Sequence, residues 1–244
     1  MHPAIMLFDI LFLKAGRCKY WIEKRPLLLI LLALLSIFAG CAKPYTPPAN
    51  FSPLPSGTHI TCAHPFSALE AGTLHLRQTV IWKAGERVQV MQGIMLLDGQ
   101  RKQVRLLGLS EIGIKLFDLT VGGDVHEVHL LAPVLGPARE LLARQVAQSV
   151  RRVFLTYPEM ETAQAFVGPG SVILADHTGD GNLVLECSPP GEPVRRVWSP
   201  DQRWEIDLDD YSLMNDITLP GRIVYQDHRA GYVLTIILHE VFEP

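Results

Sequence analysis

The chain reads as an α+β protein, a large and strongly curved antiparallel sheet interrupted by one principal amphipathic helix and completed by returning strands. Three observations point there. Between Thr73 and Leu131, short runs rich in branched residues alternate apolar and polar positions and are separated by turn residues. From Arg139 to Tyr157 the apolar period lengthens to three and four residues. Beyond Pro158 the strand pattern resumes. Composition agrees, since a chain 48% hydrophobic and 19% charged is too apolar to stay disordered.

At the N-terminal end, Lys24 and Arg25 precede the 13-residue apolar run Leu27 to Ala39, which Gly40 and Cys41 follow. Such a run is short for a membrane span and suits the core of a signal peptide. The ending Ala39-Gly40-Cys41 resembles the lipobox of bacterial lipoproteins, with Phe38 departing from the usual Leu. That resemblance implies cleavage before Cys41 and a diacylglycerol on its sulfur. Each buried methylene contributes about 0.8 kcal/mol, so two or three acyl chains hold a protein on a bilayer without any spanning helix. Ala42 in place of Asp implies, by resemblance to lipoprotein sorting rules, the periplasmic face of the outer membrane. Residues 1–40 are therefore expected to be the signal peptide, 41–72 the lipidated N-terminus with its tether, and 73–244 the folded domain. The tether follows from residues 42–58, which carry five prolines and no periodicity.

In the domain, Leu74, Leu76, Val80 and Trp82 alternate with His75, Arg77 and Lys83, so the first strand has one apolar and one wet face. The run Arg87 to Leu97 keeps Val88, Val90, Ile94 and Leu96 on one parity and places Met91, Met95 and Leu97 on the other. Further strands are expected at Gln103 to Leu109, Ile114 to Val121 and Val125 to Leu131, with turns at 110–113 and 122–124. Short turns between sequential strands make this an antiparallel meander. Leu141, Leu142, Val146, Val150, Val153, Phe154 and Tyr157 form the apolar stripe of the helix; Pro137 sits near its first turn and Pro158 stops it. Arg144, Arg151 and Arg152 cover much of its other face, which suits a helix packed on the sheet better than one lying on a membrane. The returning strands are expected at Val172 to Ala175, Leu183 to Cys187, Val194 to Trp198, Trp204 to Leu208, Ile217 to Gln226 and Tyr232 to Val241.

Charge and motifs exclude several function classes. Of 22 basic and 25 acidic residues, five and two fall in the first 40 positions, leaving 17 against 23, a net charge of −6. A mildly acidic domain lacks the basic surface that nucleic acid requires. His126, Glu127 and His129 lack the spacing of a zinc-protease helix, and in a strand the two imidazoles face opposite sides. The loop from Asp176 to Asn182 misses the calcium-loop spacing, and Cys187 stands where the terminal Glu would be. Asp207 and Asp209 share a face beside Asp210 and fit an exposed strand edge better than an acid–base pair. No nucleophile elbow, phosphate-cradling loop or dinucleotide fingerprint occurs, so neither an enzymatic activity nor a metal or other cofactor is expected. Cys62 and Cys187 are the two cysteines of the mature domain; in an oxidising periplasm they form a disulfide or remain two buried thiols.

The segment Val104 to Leu119, with its strand, Gly-containing turn and strand, resembles the LolA/LolB lipoprotein carriers. The helix from Arg139 to Tyr157, the strand-rich second half, and the closing runs Leu219 to Tyr225 and Gly231 to Leu238 are similar to the same plan. The setting resembles still more an uncharacterised family of small lipoproteins found beside aryl-polyene and fatty-acid-like biosynthesis genes. The resemblance implies an unclosed β-barrel with the helix on its concave side and a cavity able to hold acyl chains. Candidate cavity residues are Val88, Val90, Ile94, Leu96, Leu106, Phe117, Ile236 and Leu238, and Ile112 in its turn is a candidate contact to membrane or partner. Two functions are then open. One is an outer-membrane lipoprotein that binds a lipid, acyl or polyene group and assists its transfer or insertion. The other is an envelope scaffold that binds a protein partner and no lipid.

Overall fold

The computed structural model describes residues 45–55, 62, 64–67, 72–123, 125–157, 163–176, 183–187 and 192–242. The expected signal peptide, Cys41 and the loop 177–182 lie outside them. The strands run in chain order as β1 (Ser52–Pro53), β2 (Thr73–Ala84), β3 (Arg87–Asp98), β4 (Gln103–Leu109), β5 (Lys115–Gly122) and β6 (Val125–Leu131). Helix α1 (Arg139–Val150) follows, and the chain continues through residues 151–155 as a wider, π-type turn. Then come β7 (Gln164–Gly168), β8 (Ser171–Asp176), β9 (Leu183–Cys187), β10 (Val194–Trp198), β11 (Trp204–Met214), β12 (Ile217–Asp227) and β13 (Tyr232–Phe242).

All thirteen strands belong to one sheet in the order β1-β7-β8-β9-β10-β11-β12-β13-β2-β3-β4-β5-β6. Two meanders, β2 to β6 and β7 to β13, join where β13 pairs antiparallel with β2, with Ile236 opposite Val80. Among the described residues, the end strands β1 and β6 have no partner on their outer side, so the strongly curved sheet is an unclosed barrel. Turn chemistry sets its register. Gly85 takes φ 59° at the two-residue turn between β2 and β3, and Asn215 and Asp216 take φ 48° and 62° at the turn between β11 and β12. Because side chains alternate with period two, each turn decides which parity of its strands faces inward.

One inner face carries the main core. Leu76, Met95, Leu119, Leu185, Leu219, Ile223 and Tyr225 are fully buried there, together with Val150, Val153 and Phe154 from the helical segment. The strands at 164–168 and 52–53 escape the sequence reading, and β11 runs six residues past the expected Leu208. These edge and extension segments have mixed or proline-containing patterns that give no alternating signal.

The tether expected over 41–72 is corrected for its described part. Tyr45 packs edge-on against Phe166 and Trp198, and the Leu54 N–H donates to Ala165 O at 2.9 Å. Phe51 covers Gly168, where a Cβ would overlap the Phe51 ring. This aromatic-rich stretch therefore forms a second, smaller core on the outer face with Phe166, Ile173, Ala175 and Val184. Four prolines between residues 45 and 55 remove backbone donors, yet Tyr45 and Phe51 supply enough apolar surface to hold the segment down. Cys62, His64 and Phe66 are also buried, so the folded domain begins well before Thr73.

Candidate functional site

The site grows from a row of residues that crosses four strands. Gln78 on β2 stands opposite Gly93 on β3, Gly93 opposite Gly108 on β4, and Gly108 opposite Phe117 on β5. Two adjacent positions in mid-sheet therefore have no side chain on the inner face. Their neighbours lean into the space. A Cβ on Gly93 would stand 2.8 Å from Gln78 Cγ, and one on Gly108 would overlap the Phe117 ring. The paired glycines make room for the Gln78 stem and the Phe117 ring, which lie over them on the inner face below α1.

The result is an apolar cleft with about 540 Å³ of space between atoms, part of it open to solvent. Val80, Leu106, Leu234 and Ile236 form the floor, and Leu142, Val146, Val150 and Phe154 the roof. Trp82 and Met91 flank it on one side and Gln78 and Phe117 on the other. No residue lining the cleft is ionisable. Two polar atoms there are buried without a hydrogen-bond partner, Gln78 Oε1 and Trp82 Nε1. Ser149, also on the wall, is satisfied: its hydroxyl donates to Gln145 O at 2.9 Å and lies 2.8 Å from the Tyr232 hydroxyl.

Beyond the cleft the helix is fastened by polar groups. Arg152 Nη1 donates to Asp227 Oδ2 at 3.0 Å, and the Tyr225 hydroxyl donates to the same oxygen at 3.0 Å. The Arg152 guanidinium also lies 5.0 Å from the centre of the Trp204 ring, which favours it through the ring quadrupole. Burial pushes the Tyr225 and Tyr232 phenols up from their ordinary value, so both stay protonated and able to donate. Beside them Phe66 meets Phe154 edge-on at 4.8 Å, and the His64 ring lies 5.1 Å from Tyr157. Burial depresses His64 to about 3 and keeps it neutral, which lets Nδ1 accept from the Phe66 N–H. Cys62 and Cys187 are joined by a disulfide with Cα atoms 6.1 Å apart, closing a separation of 125 residues. A loop of that length is worth about 4–5 kcal/mol in the chain-entropy model.

Of the eight candidate cavity residues, Leu106, Phe117 and Ile236 line the cleft. Leu238 is buried on the same face but does not reach it. Val88, Val90, Ile94 and Leu96 need correction: they lie on the opposite, outer face of β3, with Val88 59% and Ile94 40% exposed. Both parities of β3 are apolar, so periodicity alone could not choose between them. Pairing decided, because Met91 stands opposite Val80 and Met95 opposite Leu76, which puts the odd parity inward. Gln78, Gly93 and Gly108 were missed, although a lone glycine inside a strand is a known mark of close approach.

Ile112 is 82% exposed in the turn between β4 and β5, next to the half-exposed Ile114. His129 Nε2 pairs with the Thr120 hydroxyl at 2.7 Å, and no group of three or more potential metal ligands occurs among the described residues. Asp207 and Asp209 point outward and pair with Arg196 and Arg222. Asp210 takes φ 57° where the pairing of β11 with β12 is interrupted for one position, with the register unchanged on either side.

A family model described as a protein of unknown function, DUF3261, matches residues 75–240. No curated protein matches the chain. Among solved structures, it is similar to a candidate outer membrane lipoprotein-sorting protein domain from Vibrio parahaemolyticus. That likeness has 11% identity and a TM-score of 0.46, covering 70% of this chain and 85% of the other. It is also similar to a LolA superfamily protein from Nitrosomonas europaea, with 10% identity and a TM-score of 0.47, covering 74% and 92%. A DUF1329 family protein from Desulfovibrio piger aligns with 8% identity and a TM-score of 0.41, covering 73% and 93%.

Proposed function

Because the chain belongs to the DUF3261 family, whose function is unknown, we propose from its own geometry that it binds a lipid, acyl or polyene group in the cleft under α1. It would do so as a lipoprotein moored by Cys41 to the periplasmic face of the outer membrane, and assist transfer or insertion of that group. The observation that carries this is an apolar cleft under α1, free of ionisable residues among those described, with Gln78 and Phe117 packed over two facing glycines in its wall. A hydrocarbon chain moving between such a cleft and a bilayer exchanges one apolar environment for another, so its transfer free energy is small and no catalytic residue is required. Leu142 and Val146 are only half-buried, so the roof is accessible from solvent.

The test is saturable uptake of the uncharged probe N-phenyl-1-naphthylamine by the purified full chain, with native mass spectrometry for co-purified lipid. Val146→Trp should fill the cleft from its accessible side and remove most of the uptake while the circular dichroism spectrum is unchanged. Wild-type protein that takes up no probe and carries no lipid would overturn the proposal.

One observation favours the alternative, an envelope scaffold without a lipid ligand. The open edge strand β6 exposes Val125, Val128 and Leu130, and an unpaired edge of this kind accepts a strand from a partner. If uptake fails, cross-linking at β6 or at Ile112 is the next experiment.

A further inference from the structure

We infer that the cleft selects an uncharged amphiphile, an acyl chain bearing a hydroxyl or amide group, over a plain hydrocarbon tail or one ending in a carboxylate or phosphate. This rests on the proposed lipid-binding role and names its ligand class. Gln78 is 2% exposed, yet its Oε1 has no hydrogen-bond partner, and the indole Nε1 of Trp82 is likewise buried and unpaired. Buried polar groups in folded proteins are rarely left so, and an unpaired acceptor costs stability by its lost hydration.

Both groups line the cleft. They stand on the same face of β2 on either side of Val80, about 13 Å apart along the strand. One is an acceptor and the other a donor, so the matching ligand presents a donor near Gln78 or an acceptor near Trp82. A hydroxyl or amide group can satisfy either one, and at this separation a single head group pairs with Gln78 or with Trp82 and not with both. A carboxylate or phosphate fits poorly, because no cationic side chain lines the cleft to compensate its desolvation. A plain alkane fits the walls but leaves both groups unpaired. Gly93 makes the arrangement possible, since a side chain there would occupy the space that the Gln78 stem takes. The Gln78 amide is already stripped of water before any ligand arrives, so a hydrogen bond to it gains more than one made at an exposed surface.

The experiment displaces N-phenyl-1-naphthylamine from the full chain with 1-decanol, decanamide and decane, each affinity referred to that compound's own partition from water into alkane. On that scale the alcohol and amide should bind roughly fivefold or more better than decane. In Gln78→Met, which keeps volume and removes the amide, the advantage over decane measured on the same variant should shrink to within about twofold. Trp82→Phe removes the other group independently and should reduce the advantage in part. If decane competes as well as the polar compounds in the wild type, or if both variants keep the full preference, this inference is overturned and the lipid cleft stands. If none of the three displaces the probe, the lipid-binding proposal itself fails.

Discussion

The two ends of the helical segment meet the same sheet in opposite ways. Toward its start, α1 passes over the cleft: Leu141 is 50% exposed, Leu142 and Val146 are half-buried, and the polar atoms beneath are unpaired. Toward its end, Ser149, Arg152 and Phe154 are fastened by paired groups from Tyr225, Asp227, Tyr232 and Phe66. A polar group buried with its partner specifies one arrangement, whereas one buried without a partner costs stability. The contrast is between a fixed, covered end and an accessible one: Val150, Val153 and Phe154 are buried and Leu141 and Leu142 are not, although Arg151 Nε and Nη2 at the fixed end are also buried without a partner.

Breaking the fixed end should have the largest effect. Asp227→Ala leaves Arg152 and Tyr225 without their shared acceptor and should lower unfolding stability by about 3 kcal/mol in urea titrations. A loss below about 1 kcal/mol would show that the network is not what fastens the helix.

His64 makes the fixed end sensitive to acid. Its folded value of about 3 lies below the ordinary 6.5, so the unfolded chain binds the proton more readily. The associated stability is complete above pH 6.5 and declines as pH falls from there toward 3, by at most about 1.4 kcal/mol per pH unit. Comparing wild type with His64→Phe between pH 7 and about 4 isolates this contribution from that of the carboxylates. Parallel curves would mean that His64 is hydrated in the folded state.

The smallest effect has the opposite sign. Gln78→Met removes an unpaired buried acceptor and should raise ligand-free stability by up to about 1 kcal/mol. Tyr232→Phe at the fixed end breaks a made hydrogen bond and should lower it by about as much. Two losses of similar size would erase the distinction between the two ends.

Much of this plan was readable from residues. Alternation and turn signals located most of the strands, and the change of period located the helix, because both patterns are local and repeat several times. Segments with few repeats were lost: β7 is five residues long and β1 only two. In the cleft, Leu106, Phe117 and Ile236 are where the sequence reading expects them, but the residues expected on β3 lie on its other face, since Val88 and Met91 are equally apolar.

By itself the amino-acid sequence determined the class, the principal helix, most of the strands and the two cysteines available to pair. Only the tertiary structure decided that β13 closes on β2, which parity of β3 looks inward, and that Gly93 and Gly108 face each other. Periodicity records what each residue prefers, while register records which residues meet across strands many positions apart. A cleft is made by such meetings, and here Gln78 and Phe117 take their places in its wall because Gly93 and Gly108 became neighbours across β3 and β4.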